Sequence, residues 1–181
     1  MHRDLILEHA KRWRSIGIDT VSIKVEGEHR SKKLYRKTLK ISDEILNSPD
    51  MLSEDFNFLG ISLRNSGIFC LDIEAINSSV DNFYSLLAER EIDPNSFLME
   101  TSLNGGLHAY FRTDDLIIEN KHFNFLHGIH FDILTRFRVF TSPSTFSGKK
   151  YEWIGTHFER ISSLDQIPKF PEELHDLICD I

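Results

Sequence analysis

The strongest constraint on this chain is local. Asn104-Gly105-Gly106 lies between two β-prone runs, Phe97-Leu98-Met99-Glu100-Thr101 and Leu107-His108-Ala109-Tyr110-Phe111. An Asn-Gly pair in that setting is the strongest short-range hairpin signal, because both residues readily enter the left-handed conformations that tight hairpin turns require. A hairpin joins antiparallel strands, so an antiparallel sheet is predicted. Further strands are expected at Val21, Ile23 and Val25, and at 58–63 and 68–73 around the turn Arg64-Asn65-Ser66-Gly67. Others are expected at 129–134 and 137–141, with a short one at 151–154. Leu5, Ile6, His9, Ala10, Trp13 and Ile16 recur at helical spacing before a stop at Gly17. Ser78 is placed to cap a helix carrying Val80, Phe83, Leu86 and Leu87 that ends near Pro94. Pro171-Glu172-Glu173 opens a terminal helix with Leu174, Leu177 and Ile178 inward. The basic stretch from His29 to Lys40 reads as a loop running into a helix. Strands and helices mix without strict alternation, which favours α+β over a doubly wound sheet.

Nothing divides the chain: it has no repeat, low-complexity tract or Pro/Gly linker. Its 181 residues suit a single domain that buries roughly 70% of the unfolded surface. Within it we distinguish a basic N-terminal part (about 1–60), a sheet core (61–155) and a helical tail (156–181). No run of about 18 apolar residues exists, which excludes a membrane-spanning helix. The N-terminus lacks the apolar core of a signal peptide, and Cys70 and Cys179 are too few for a disulfide framework or a Cys-rich zinc site. A cytoplasmic location is expected. The net charge of -7, taken as a total, argues against a nucleic-acid partner. The total hides a division, however. Residues 1–40 hold 11 Lys/Arg against 5 Asp/Glu, a net of +6, and residues 41–181 hold 10 against 23, a net of -13.

Several residues are candidates for chemistry. Asp72 and Glu74 close the apolar run Ile68-Phe69-Cys70-Leu71; two apart in a strand, they project from one face, roughly 7 Å apart at Cα. In a central strand such carboxylates cost several kcal/mol unless a cation pairs with them, and Mg²⁺ takes one or two carboxylates plus phosphate oxygens. The same spacing also fits a frayed strand end in solvent. Asp132 is a second acid in a strand-like apolar run, where a solvent-facing residue is the commoner case. His108 follows the Gly105-Gly106 turn, where glycines let a phosphate approach backbone N–H groups. Arg136 and Arg138 share one face of the next expected strand, an arrangement suited to phosphate and equally ordinary in water.

The order of these elements is more specific than any one of them. Gly60-Ile61…Arg64…Gly67 is followed by Leu71-Asp72-Ile73-Glu74, then Asn104-Gly105-Gly106-Leu107-His108 and Phe131-Asp132-Ile133. Ser142-Pro143-Ser144 and Gly148-Lys149-Lys150-Tyr151-Glu152-Trp153 complete the series. Over roughly residues 10 to 155 this resembles the bifunctional DNA primase/polymerase (prim-pol) domain of the archaeo-eukaryotic primase superfamily. That family shows a "GIRTG"-like segment, a D-x-D/E pair, an "SGGxH" turn, a third acid and a "PPS…G…Y.W" tail. Here Asn104 and Ser142 depart from the usual Ser and Pro, and 64–67 is looser than "GIRTG".

The resemblance implies an archaeo-eukaryotic primase-like fold. An α/β N-terminal module would pack on an RRM-like antiparallel sheet unit, with the active site in the cleft between. It implies that Asp72, Glu74 and Asp132 hold two Mg²⁺ or Mn²⁺ ions and that the reaction is nucleotidyl transfer from an NTP or dNTP. His108, with the amides of Gly105 and Gly106, would meet the triphosphate. Arg136 and Arg138 would take remaining phosphate charge, and Arg64 the nucleotide or template. Lys149 and Lys150 read as solvated turn residues. Single-stranded template, primer and a helicase or other replication protein of a plasmid or phage are the implied partners. Two other classes stay open. One is a metal-dependent nuclease or replication-initiator endonuclease, with His127 and His130 as ligands and Tyr110 as nucleophile. The other is a non-catalytic nucleic-acid-binding domain of the same fold.

Overall fold

The computed structural model describes residues 2–26, 35–114 and 118–179. Helix α1 (His2–Ser15) buries Ile6, Leu7, Ala10 and Trp13. That stripe is turned by about one position from the expected one: Leu7 goes inside and Leu5 is 43% exposed. Positions 6, 7, 10 and 13 span one helical face, and position 5 falls at its margin. Gly17, at φ +88°, ends the first turn of chain beyond the helix. Strands β1 (Thr20–Glu26) and β2 (Tyr35–Lys40) pair antiparallel over six residue pairs. The helix expected at the end of the basic stretch is therefore a strand. Its basic residues suit the edge position that β2 takes in the sheet, and pairing with β1 overrides the local helical preference of its lysines. The loop expected before it, with Lys32 and Lys33, falls outside the described residues.

Helix α2 (Asp43–Asn47), β3 (Phe58–Ser62), β4 (Ile68–Ile73), α3 (Ser79–Glu89), β5 (Leu98–Thr101) and β6 (Leu107–Arg112) follow. Next come β7 (Lys121–Leu126), β8 (Ile129–Leu134), β9 (Arg138–Thr141), β10 (Thr145–Phe146), β11 (Lys149–Lys150) and β12 (Glu152–Ile154). Two short helices, α4 (His157–Arg160) and α5 (Asp176–Cys179), close the chain. The fold is α+β with antiparallel sheets. A four-stranded sheet has the order β2-β1-β3-β9, a six-stranded sheet the order β12-β5-β6-β4-β8-β7, and β10-β11 form a small ribbon.

The strands expected at 58–63 and 68–73 both form, but in different sheets. The chain crosses from the four-stranded sheet to the six-stranded one between β3 and β4, and returns between β8 and β9. The Leu63 N–H donates to the Phe137 carbonyl at 3.0 Å and ties the two crossings together. Arg136 consequently sits in the bend before β9 and not in a strand with Arg138, because residues 135–137 are spent on changing sheets.

Alternation along the central strands divides the six-stranded sheet into two faces. Phe69, Leu71, Ile73, Leu107, Ala109, Phe111, Phe131 and Ile133 form a core with Phe83, Leu86 and Leu87 of α3 and the C-terminal Phe170, Leu174 and Leu177. On the opposite face, Cys70, Leu98, Tyr110 and Leu134 join α1 and β3 in a second core around Trp13. That second core covers only one end of the face. The other end is polar and open.

Two helix ends differ from expectation. Ser78 adopts φ +61° and makes no side-chain cap; the Ser79 hydroxyl instead donates to the Ile76 carbonyl at 2.6 Å and accepts from the His130 amide at 3.0 Å. The terminal helix breaks into a 3₁₀ turn, Glu172–Leu174, and α5, a division that still turns Leu174, Leu177 and Ile178 inward. Among the described residues no helix is long and apolar enough to cross a membrane.

Candidate active site

The hairpin forms as its sequence predicts. β5 and β6 pair with Thr101 opposite Leu107 and Glu100 opposite His108. Ser102 N–H donates to the Gly106 carbonyl at 2.8 Å, and Gly105 N–H to the Ser102 carbonyl at 3.0 Å. Gly105, at φ +86°, occupies the left-handed position of the turn. Gly106 is required for another reason: a Cβ there would stand 2.3 Å from the Ile73 carbonyl oxygen. The turn therefore presses directly on the backbone between Asp72 and Glu74.

Strand order then assembles what lies far apart in the chain. Glu100 of β5 faces His108 of β6, His108 faces Asp72 of β4, and Asp72 faces Asp132 of β8. Directly opposed residues share a sheet face with Cβ atoms about 5 Å apart, so the four side chains form one row across four strands. The His108 Nε2 lies 3.4 Å from Asp72 Oδ1, and its Nδ1 lies 3.4 Å from Glu100 Oε1. Burial alone would push the imidazole's pKa down, but these two carboxylates outweigh it and raise it to about 10. His108 is thus an imidazolium near neutral pH, with N–H donors facing both acids.

Glu100 is the residue the sequence reading passed over. It is 0% exposed, yet its oxygens accept from the Tyr110 hydroxyl at 2.5 Å, the Ser142 amide at 2.6 Å and the Thr141 hydroxyl at 3.1 Å. The signal for it was the hairpin register itself, which places Glu100 across from His108. Tyr110 is fully buried, and burial followed by the Glu100 charge pushes its phenol pKa well up, so it presents no nucleophile to solvent. His127 bonds Asp176 at 2.6 Å while His130 approaches Asn77 at 3.4 Å; the two imidazoles do not converge on one ligand.

At the other end of the row, Asp132 lies opposite a bulge in β7, where 122 and 123 stand between the Lys121–Ile133 and Asn124–Phe131 pairs. Its Oδ2 accepts from His122 Nδ1 at 2.6 Å and its Oδ1 from the Phe123 amide at 2.7 Å. Asn120 Nδ2 donates to His122 Nε2 at 2.9 Å, which leaves the ring proton on Nδ1, facing Asp132.

Asp72, Glu74 and His108 line a cavity of about 280 Å³ with Ala75, Ile76, Ser102, Asn104 and Tyr151. Glu74 lies just past β4, its amide bonded to the His130 carbonyl at 3.0 Å. Arg64 and Arg136 share a different cleft, of about 490 Å³, with Asn65, Ile118 and Thr135. Arg138 pairs with Ser62 at the start of β9, beside that cleft. Lys149 and Lys150 are exposed on the ribbon, Lys150 paired with Glu152 at 2.8 Å.

Among the described residues no group of three or more His, Cys, Asp and Glu side chains closes round a common point. What the row offers is a pair. Asp72 and Asp132 are like charges directly opposed, which repel, and they suit a hard divalent cation whose remaining ligands come from substrate oxygens.

Residues 12–173 match the family described as bifunctional DNA primase/polymerase, N-terminal, and the chain belongs to that family. Neither the curated proteins nor the solved structures contain a match.

Proposed function

We propose that the chain catalyses template-dependent nucleotidyl transfer from an NTP or dNTP, as a DNA primase, a DNA polymerase or both. The replicating element would be a plasmid, phage or other mobile element, with single-stranded template, primer and a helicase or other replication protein as partners. The observation that carries the reading is the registered row Glu100–His108–Asp72–Asp132, whose His108 and Asp72 line a cavity beside the Gly105-Gly106 turn. In this reading an α/β N-terminal part packs on an RRM-like sheet unit, and the row lies in the cleft between them.

Asp72, Glu74 and Asp132 would hold two Mg²⁺ or Mn²⁺ ions, which when bound supply charge stabilisation at the attacking 3′ oxygen and the leaving pyrophosphate. The remaining work falls to the chain. Glu100 holds the His108 ring by Nδ1, so that Nε2–H is presented beside Asp72 to an incoming triphosphate. His122 and the Phe123 amide fix the Asp132 carboxylate, which stands opposite Asp72 in the register of β8 on β4. Gly106 lets the turn lie against the Asp72–Glu74 backbone, leaving Ser102 and Asn104 at the cavity wall. Arg64, Arg136 and Arg138 would meet phosphates further along a bound strand. The test is metal-dependent incorporation of labelled nucleotide on primed and unprimed single-stranded templates. Synthesis should vanish in Asp72→Ala and Asp132→Ala proteins, and synthesis unchanged by both would refute the assignment.

A further inference from the structure

Edge strand β7 carries an unusual surface. Phe123 is 89% exposed, Phe125 60% and Phe137, in the bend before β9, 52%. Phe125 and Phe137 pack on histidines of the polar face of the sheet. Phe125 packs on His130 with ring centroids 4.5 Å apart, and His130 stands two residues from Asp132 on the same face of β8. Phe137 packs on His122 at 5.5 Å, and His122 bonds Asp132 directly. Phe123 lies in the bulge at φ +60°, a left-handed conformation that a bulky residue rarely adopts. The bulge aims its amide at Asp132 and its ring into solvent. The rings therefore flank Asp132 on both sides, beyond the end of the catalytic row.

Beyond Phe137 the surface turns cationic. Arg136 and Arg138 are exposed, Arg64 and Arg136 share the 490 Å³ cleft, and none of the three pairs with a carboxylate among the described residues. This contrasts with the basic N-terminal part. There Arg3 pairs with Asp50, Arg14 with Asp43, Lys24 with Asp55 and Lys40 with Asp19. Among the described residues three unpaired arginines thus gather at the crossing between the sheets, at the end of a line of exposed rings.

We propose that a single nucleic-acid strand runs along β7, its bases stacked on Phe125, Phe123 and Phe137 and its backbone phosphates on Arg136, Arg138 and Arg64. The inference rests on the reading that this chain acts on nucleic acid and adds where the strand lies. Rings accept any base by stacking, and arginines accept phosphate without regard to sequence, so the track is sequence-tolerant. Such a strand passes Asp132 with one base beside it on Phe123. Bare apolar burial against a protein partner would not require the unpaired arginines in line with the rings.

The probe is a short fluorescein-labelled oligothymidine, titrated by anisotropy in EDTA without nucleotide, so that neither metal nor chemistry contributes. Phe123→Ala and Phe137→Ala should each weaken binding by about tenfold, while Phe123→Trp retains it and Phe123→Leu does not. An Arg136→Ala/Arg138→Ala protein should bind less tightly and lower the log–log salt slope by about 1.4, from two lost single-strand phosphate contacts. All these side chains are exposed, and unchanged thermal midpoints confirm intact folding. Affinity unaltered across the ring variants overturns the track and leaves the rings to another partner. Ring-dependent binding by a protein that makes no product would reject nucleotide synthesis and leave the track standing.

Discussion

Removing the buried carboxylate of Glu100 tests the row at its most enclosed point. Four donors converge on it: the Tyr110 hydroxyl, the Ser142 amide, the Thr141 hydroxyl and His108 Nδ1. The two hydroxyls can rotate toward other acceptors, but the Ser142 amide and the imidazolium cannot. In Glu100→Leu, of similar volume, an amide is left unsatisfied and a buried cation loses one of its two counter-charges. Breaking a buried pair from one side costs about 3–5 kcal/mol. At about 2–4 °C per kcal/mol for a chain of this size, the thermal midpoint should fall by about 6–20 °C. Glu100→Gln keeps the volume and one acceptor oxygen, and it replaces charged hydrogen bonds with neutral ones. Its cost should be about 2 kcal/mol, or about 4–8 °C. Scanning calorimetry or thermal circular dichroism reads both. If both variants melt within about 1 °C of the parent, Glu100 is not the anchor described here.

Other outcomes follow from the same geometry. Because folding raises the His108 pKa from 6.5 to about 10, its stabilisation is complete below pH 6.5 and is lost as pH climbs toward 10; thermal midpoints should decline across that window, less so in Glu100→Gln. Asp176 behaves in the opposite sense. The hydrogen bond from Arg90, against some burial, and that from His127 hold its carboxyl well below the usual range. Its stabilisation is present above the ordinary carboxylate pKa and drains on acidification, so Asp176→Asn should flatten acid unfolding below about pH 4. Gly106→Ala places a methyl 2.3 Å from the Ile73 carbonyl and must displace the turn or the Asp72–Glu74 backbone. A loss of about 100-fold in nucleotide incorporation is expected from a shift of about 1 Å, and full activity would contradict the close packing.

The parts of this fold that were legible in advance are those decided by neighbours in sequence. The Asn104-Gly105-Gly106 turn carries its own chemistry, and strands such as 129–134 announce themselves by alternation. β2 was not legible, because Arg36, Lys37 and Lys40 give no apolar rhythm; the strand exists through pairing with β1. Likewise Arg136 and Arg138 are two apart, as on one strand face, but the bend at 135–137 separates them, and that bend depends on where β9 finds its partner in the other sheet. For the site, Asp72, His108 and Asp132 could be nominated singly, whereas their alignment required the order β5-β6-β4-β8, a long-range property. Glu100 was hidden by its surroundings. An acid inside an apolar strand reads as a solvent-facing residue until the donors around it, from Ser142 to Tyr110, are known.

The central claim is that the carboxylates opposed across β4 and β8 are the seat of nucleotide transfer. The most direct measurement is incorporation of labelled dNTP or NTP on a primed single-stranded template, with Mg²⁺ or Mn²⁺ added and then chelated, by the parent, Asp72→Asn and Asp132→Asn proteins. Asn keeps the shape and one acceptor oxygen while removing the charge. Product that requires the added ion, and that falls at least about 1000-fold in either variant with thermal midpoints preserved, is the expected result. Product formed equally well by both variants, or equally well in chelator, would contradict it.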